Sequence, residues 1–486
     1  MKTLAFNPYL PSYEYVPDGE PYVFGDRVYV FGSHDRFGGT EFCMNDYVGW
    51  SAPVDDLGAW RYEGVIYKAT QDSLNVDGSQ HLFAPDVQRG LDGRYYLYYC
   101  LHRTPAVCVA VCDTPVGKYE FYGHVKHEDG SLYGMSKTRK NVFNFDPGVL
   151  KDTDGTYYLY TGFSPNPGAM RDMMGKMLLI DGSYCVQLDD DMLTVKTEPK
   201  LVVPCESVAE GTSFVGHGFY EASSPRKIGG TYYMVYSSVK SHDLCYATCD
   251  TPDGDYLFGG VIMSNGDVGL VPDGAAVNYT GNNHGGLVEI NGTWYIFGHR
   301  QTNQTVFSRQ GIAEKVEILA DGRIPQVEVT SCGLNQGALP GSGTYEARIA
   351  CNLSAKNGTF NYGQENEKAG MHPYFTQDGE DRECDGNQYI ANMQDGAWAG
   401  FKYFAFDGEH KISVKVKNHA GMGNGAKGVM EVRTQKDGAC VAKIAIASTD
   451  EWQTFEAEFA SEKGKQALYF TYTGAGAVDF GGFTVE

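Results

Sequence analysis

The sequence predicts an all-β chain: a five-bladed β-propeller followed by a jelly-roll β-sandwich. Two repeats and one change of pattern carry that prediction. A turn leading into an aromatic strand appears five times, as Gly25-Asp26-Arg27-Val28-Tyr29-Val30, Asp92-Gly93-Arg94-Tyr95-Tyr96-Leu97, Asp154-Gly155-Thr156-Tyr157-Tyr158-Leu159, Gly229-Gly230-Thr231-Tyr232-Tyr233-Met234 and Asn291-Gly292-Thr293-Trp294-Tyr295-Ile296. Aligned on Tyr29, Tyr96, Tyr158, Tyr233 and Tyr295, the copies stand 67, 62, 75 and 62 residues apart. That period suits one four-stranded unit, and five such units close into a propeller. A second phrase, Val111-Cys112-Asp113-Thr114-Pro115, returns as Thr248-Cys249-Asp250-Thr251-Pro252, with the cysteines 137 residues apart, the interval from Tyr96 to Tyr233. Units two and four therefore match along both an inner and an outer strand. Past a Gly-rich stretch at 333–343 the pattern changes to alternating runs at 400–406, 411–416, 429–433, 441–447, 454–459, 467–472 and 480–485. Short alternating strands separated by Gly, Asn and Asp build a sandwich. The expected division is a propeller over 1–335, a linker over 336–344 and a sandwich over 345–486.

In each propeller unit the phrase reads as a hairpin turn into the second strand. The segment before it is then the first strand, nearest the axis. Ten to twelve residues ahead of the aligned tyrosines stand Asp18, Asp86, Asp146, Glu221 and His284. At about 3.3 Å per residue, each falls at the end of the inner strand away from the turn. Five units thus place all five residues at one mouth of the tunnel. Carboxylates crowded there repel one another and lose water, so their pKa values separate, and one can act as acid while another acts as base. An Asp before a strand also commonly caps a turn. For Asp18, Asp146 and Glu221 the shared register favours catalysis, whereas Asp86 reads equally as structural support or as a sugar-binding group.

Lys and Arg number 39 against 61 Asp and Glu, a net charge of −22. That balance argues against nucleic acid and anionic membranes as partners and suits a neutral ligand. The opening Met1-Lys2-Thr3-Leu4-Ala5-Phe6-Asn7-Pro8 holds no apolar signal region and no long apolar run follows, so the chain reads as cytoplasmic. The 12 cysteines include no Cys-x-x-Cys pair. Cys108/Cys112 and Cys245/Cys249 fall in strand-like runs, so buried reduced thiols are expected rather than a zinc site or a disulfide framework.

These motifs resemble glycoside hydrolase family 43, the five-bladed-propeller arabinofuranosidases, xylosidases and arabinanases. The segment Asp18-Gly19-Glu20-Pro21-Tyr22-Val23-Phe24-Gly25-Asp26-Arg27-Val28-Tyr29 is similar to the family's first motif, and Asp146-Pro147-Gly148-Val149-Leu150 to its second. Glu221-Ala222-Ser223-Ser224-Pro225-Arg226-Lys227 resembles the third, Phe83-Ala84-Pro85-Asp86 the blade-two segment, and Asn283-His284-Gly285 the axial histidine. The resemblance implies inverting hydrolysis of a glycosidic bond with no cofactor needed for the chemistry. Asp18 would be the general base, Glu221 the general acid, and Asp146 the group that orients the acid and raises its pKa. It places His284 beside a bound water or a structural calcium ion, the alternative being a satisfied core histidine. Two departures stand out. Pro21 follows Glu20 rather than Asp18, which leaves Glu20 as an alternative base, and an Ala-Ser-Ser insertion follows Glu221.

Other residues carry paired readings. Phe83 either stacks on a sugar face or packs in the core. Arg300, just past the fifth phrase, either reaches the pocket to bind a sugar hydroxyl or carboxylate or makes a surface salt bridge. Trp50, Trp60 and Trp294 are expected between blades. The second domain resembles family 6 carbohydrate-binding modules, with Trp398 the candidate sugar platform if the sandwich binds anything. The expected function is exo-acting removal of terminal α-L-arabinofuranose or β-D-xylose from plant-derived, neutral oligosaccharides. One rival is a retaining fructan or sucrose hydrolase, whose Asn-Asp-Pro-Asn motif does not occur near Asp18. Another is a non-catalytic sugar-binding propeller.

Overall fold

The five inner strands are Glu20–Phe24, Leu82–Arg89, Gly148–Lys151, Phe219–Ile228 and Leu287–Ile290. In the computed structural model, which describes residues 2–165, 168–169, 177–363, 369–382, 387–421 and 425–486, each opens one sheet of the propeller. Blades one, two and four are four-stranded meanders. Blade three carries two short additional strands, and blade five has three strands, ending in Thr293–Thr302 and Thr305–Val316. The turns follow the repeated phrase: Asn291 and Gly292 both take positive φ, 48° and 76°, as a tight two-residue hairpin requires. The aromatic second strands then fill the gaps between blades, as where Tyr29 and Phe31 of blade one share a buried cluster with Leu97 and Tyr99 of blade two.

The ring closes through residues 5–19. Tyr9 N–H donates to Gly311 O (3.3 Å) and Asn7 Nδ2 to Ala313 O (3.0 Å), so this segment flanks the last strand of blade five. Gly19 bridges to Gly285 across the blade one–five junction.

The strand pairing fixes which residues share a level along the tunnel. Two positions past the aligned tyrosines stand Phe31, Tyr98, Tyr160, Val235 and Phe297. Opposite them lie Glu20, Asp86, Gly148 and Ser224, and Gly286, whose carbonyl accepts from Phe297 N–H. Asp86 therefore belongs with Glu20, one level deeper than Asp18. This level is closely packed: a Cβ added at Gly286 would meet Glu20 Oε2 at 2.5 Å and Ser224 Oγ at 2.6 Å.

The second domain is a sandwich of two six-stranded sheets. Its core joins Phe401, Phe404, Phe470, Phe480 and Phe483 with Ile412, Val414 and Val416. The stretch 336–344 is not a free linker. Leu339–Pro340 pairs with Trp398–Phe406, and Gly343–Glu346 pairs with Val478–Val485, so the sandwich begins inside it. The two domains are bound by aromatic packing of Tyr279 on Phe360 and Tyr362 and by charged and polar contacts. Arg382 Nη1 donates to both oxygens of Glu14 (2.6 and 2.9 Å), Lys402 Nζ to Glu328 (2.7 Å), and Tyr15 OH to Gln377 (2.7 Å). The described cysteines are all free thiols, and no helix among the described residues is long and apolar enough to cross a membrane.

Gly286→Ala forces a methyl group into the packed deep level and is expected to cost about 1–3 kcal/mol. A urea unfolding midpoint equal to that of the parent would show that this level has room to spare.

Candidate active site

Two residues ahead of the deep level, the chain reaches the tunnel mouth, where Asp18, Asp146 and His284 meet. Glu221 stands three residues ahead of Ser224 because the strand pairing shifts between them. Such a bulge re-aims a side chain. Blade two has a matching shift between Phe83 and Asp86, so Phe83 is the counterpart of Glu221. Asp18, Asp146 and Ala222 take left-handed backbone, with φ of 56°, 45° and 72°. Strain of this kind collects at functional sites.

Together these residues line a cavity of about 650 Å³, a size that takes a small ligand. Its floor is Asp18, Asp146, Glu221, His284 and Arg309. Phe42, Phe83, Phe145, Phe163 and Tyr220 form an aromatic wall, and His102, Val239, Lys240, Ser241, Asn282, Val306, Asn361 and Gly363 contribute the remainder. Phe83 packs against His102 and Phe145, with ring centroids 5.9 and 5.5 Å apart.

Arg309 sets the charge of Asp18. Its Nη1 donates to Asp18 Oδ1 (2.9 Å), while Nε and Nη2 fork onto Asp35 (2.8 and 3.0 Å). Burial raises the Asp18 pKa, but the Arg309 charge and its neighbours outweigh it, so the carboxyl lies below its usual range. His299 faces Asp18 at 3.3 Å and accepts from its backbone N–H. Burial lowers the His299 pKa to about 3, so it is neutral.

Glu221 experiences the opposite balance. Burial, then the charge of Asp146, raise its pKa to about 8. Asp146 is itself raised to about 7, chiefly by burial, and it accepts a hydrogen bond from the Ala222 amide. One floor thus holds an ionised carboxylate and a protonated carboxylic acid near neutral pH, the pairing that acid–base catalysis needs.

Glu20 is not on this floor. Its Oε2 accepts from Arg226 (2.8 Å) and Ser224 (3.0 Å), and the paired carboxylate is held below its usual pKa against burial. Asp86 is likewise not at the mouth and does not reach a sugar there; of its two readings, structural support is the one the contacts favour. It accepts from Tyr22 OH (2.6 Å), Val149 N–H (2.6 Å) and Val87 N–H (2.8 Å), a structural tie between blades outside the cavity. Arg300 also lies elsewhere. Neighbours on a strand point to opposite faces, so with His299 turned to Asp18, Arg300 turns to the sandwich. It donates to Ala350 O and Gln310 (3.0 Å each) and lies 3.9 Å from the Phe375 ring centre. Trp398, the candidate platform if the sandwich binds sugar, is only 9% exposed within its strand. A separate cavity of about 450 Å³ on the sandwich is lined instead by Trp452, Tyr389 and Lys415.

The arrangement does not fit a calcium cage built on His284. Calcium takes six to eight oxygen ligands. Here the two ring nitrogens face Asp146 (3.5 Å) and Glu20 (3.7 Å). Against the cost of burial, Asp146 and then Glu20 raise the His284 pKa to about 9, which makes the ring itself the local cation. Two other groups bring possible metal ligands together: Asp72, Cys108 and His124 in blade two, and His217, Asp243 and Cys245 in blade four. In the first, Asp72 already accepts from His124 (3.1 Å) and Leu74 N–H (2.7 Å).

Sequence reasoning missed Arg309, Asp35, Phe42, Phe145, Phe163, Tyr220 and Asn361. The one available signal was the polar run Ser308-Arg309-Gln310 between Val306-Phe307 and Gly311-Ile312-Ala313, and all three of its residues are buried.

Residues 22–324 match the family model "Glycosyl hydrolases family 43", and residues 368–486 match "Carbohydrate binding module (family 6)". Over 491 aligned residues the chain is 50% identical to a xylosidase/arabinosidase of Thermoclostridium stercorarium, covering 100% of this chain and 99% of that protein. It shares its fold with an arabinoxylan arabinofuranohydrolase from Bacillus subtilis solved with cellotetraose, at 20% identity and a TM-score of 0.51, covering 100% of this chain and 99% of that one. A β-xylosidase/α-arabinofuranosidase from a compost microbial metagenome, solved with xylotriose in a calcium-free form, is 26% identical with a TM-score of 0.51, covering 67% of this chain and 98% of that one. With the first of these models spanning well over half of its length, the chain is a glycoside hydrolase and belongs to glycosyl hydrolases family 43.

Proposed function

We propose that the chain is an inverting exo-glycosidase that removes terminal pentose units, α-L-arabinofuranose first and β-D-xylose second, from neutral plant-derived oligosaccharides. The observation that carries this reading is the division of charge on one floor: Asp18 ionised against Arg309, and Glu221 protonated beside Asp146. Asp18 takes a proton from a water as its oxygen attacks the anomeric carbon. The bond to the leaving oxygen breaks as Glu221 delivers its proton there. Asp146 favours the protonated form of Glu221 by its charge and fixes the adjoining backbone through the Ala222 amide. The aromatic wall covers the apolar faces of the sugar rings. Beneath the floor, Glu20 and Arg226 form a buried ion pair (2.8 Å), and the exo reading rests, like the pentose class, on the xylosidase/arabinosidase relative.

Asp18→Ala should lower kcat/KM by about 10²–10⁴-fold on nitrophenyl α-L-arabinofuranoside and β-D-xylopyranoside alike. Glu221→Gln should lose more on oligosaccharides than on nitrophenyl glycosides, because nitrophenolate leaves with little help from an acid. Turnover that survives Asp18→Ala would remove Asp18 as the base. Proton NMR of the first-formed sugar should show net inversion, and retention would point to a covalent intermediate.

The pH profile has a definite sign. Glu221 acts in its protonated form, which is complete well below pH 8 and lost as pH rises through about 8. The alkaline limb of kcat/KM should fall there in the parent and be absent in Glu221→Gln. Treatment with EDTA should leave initial rates unchanged, since His284 supplies the axial positive charge. A loss restored by added calcium would place an ion in the site after all.

A further inference from the structure

The sandwich reaches into the catalytic cavity. Asn361 and Gly363, on a loop that follows the strand Asn352–Ser354, line the same cavity as Asp18 and Glu221. The loop is anchored to the propeller by backbone pairing. Thr280 N–H donates to Phe360 O (3.2 Å) and Tyr362 N–H to Thr280 O (3.0 Å), so it adds a short strand beside the approach to His284. Rings lock the junction: Tyr279 stacks on Tyr362 at 4.7 Å and meets Phe360 edge-on at 5.3 Å. The adjacent blade-five hairpin is capped as well, with Asn303 N–H donating to Phe375 O (2.7 Å). The position of Asn361 is therefore set by rigid contacts on both sides.

Depth separates Asn361 from the reacting groups. Asp18, Asp146 and Glu221 are buried, Asn361 is half-buried, and Gly363 is exposed. A sugar held on the floor for hydrolysis leaves its neighbour, the departing unit, at the rim. Asn361 Oδ1 accepts from Gly363 N–H (2.7 Å), which orients the amide. Among the described residues no acceptor is bonded to its Nδ2, so two N–H donors remain for a ligand.

We propose that this sandwich loop forms the leaving-group subsite, with Asn361 Nδ2 donating to a hydroxyl of the sugar unit that departs. The second domain is then part of the catalytic pocket, and the enzyme selects leaving groups that carry sugar hydroxyls over those that do not. The inference rests on the glycosidase reading above.

The test compares a pentose oligosaccharide with the matching nitrophenyl pentoside, whose leaving group has no sugar hydroxyl. Asn361→Ala should lower kcat/KM on the oligosaccharide about five- to tenfold, the effect of one hydrogen bond, mainly through KM, and leave the nitrophenyl pentoside within about twofold. Asn361→Asp, which keeps the shape but replaces donors with acceptors, should lose at least as much on the oligosaccharide. An unchanged unfolding midpoint in either variant confirms that the loop is intact. Equal losses on both substrates would place Asn361 against the terminal sugar or in a structural role, and no loss on either would remove it from binding; both results overturn the proposal. Failure of the pentosidase reading looks different: the parent enzyme itself would turn over neither substrate.

Discussion

The propeller axis buries more carboxylates than it has cations to pair with them. Asp18, Glu20, Asp35, Asp86, Asp146 and Glu221 are all buried around it, while Arg226, Arg309 and His284 bring the positive charge among the described residues at that depth. Each cation is committed. Arg226 serves Glu20, Arg309 is shared by Asp18 and Asp35, and His284 stands between Glu20 and Asp146. Where burial outweighs the available positive charge a carboxyl holds its proton more tightly, as with Asp86, raised to about 7, and Glu221, raised to about 8, while Asp146, also raised to about 7 but facing His284, keeps charge enough to act on Glu221. The general acid is thus a consequence of scarcity: His284 and Arg309 lower the Glu221 pKa, but by less than burial and the charge of Asp146 raise it. Adding a cation near Glu221 would disarm it, and removing Arg309 would leave the base and acid alike.

This balance depends on strand register more than on residue identity. Asp18 and Glu20 are two residues apart, yet one level of the tunnel separates a cavity-lining carboxylate from one sealed against Arg226. The in-register tyrosines made Asp18, Asp146, Glu221 and His284 readable from the chain alone, because each lies the same number of levels ahead of its repeat. Asp86 was misplaced for the same reason it looked right. It lies ten residues before Tyr96, and unbroken pairing carries it opposite Tyr98, at the level of Glu20; the shift comes only beyond it, between Asp86 and Phe83. Arg300 failed on parity, since it alternates with His299 and faces the other way. Arg309 had only the polar run around it as a local sign: it meets Asp18 across 291 positions of sequence, and nothing near either residue announces the other.

The two domains illustrate a similar limit. The sandwich strands were evident from their alternation, and the stretch 336–344 looked like a linker because it is rich in Gly. Backbone pairing claims part of it nonetheless. Many of the contacts that set the domains against each other are polar and scattered, such as Arg382 on Glu14, which also accepts from Trp50 and faces His34. Such contacts follow no period. A loop of one domain that borders the cavity of the other is therefore found only once both are in place.

The ring closure has a consequence for how the enzyme comes into being. Asp18 belongs to the first blade and Arg309 to the last, and the segment at Asn7 and Tyr9 must find strand 305–316 to seal the circle. Contacts of such long sequence separation form late and slowly, and synthesis delivers the N-terminal part first. On the ribosome, blade one emerges with its buried aspartate still lacking a counterion, some three hundred residues ahead of the arginine that will meet it. Four blades can assemble without a working centre. Catalytic competence arrives in a single late event, when the two ends of the propeller join.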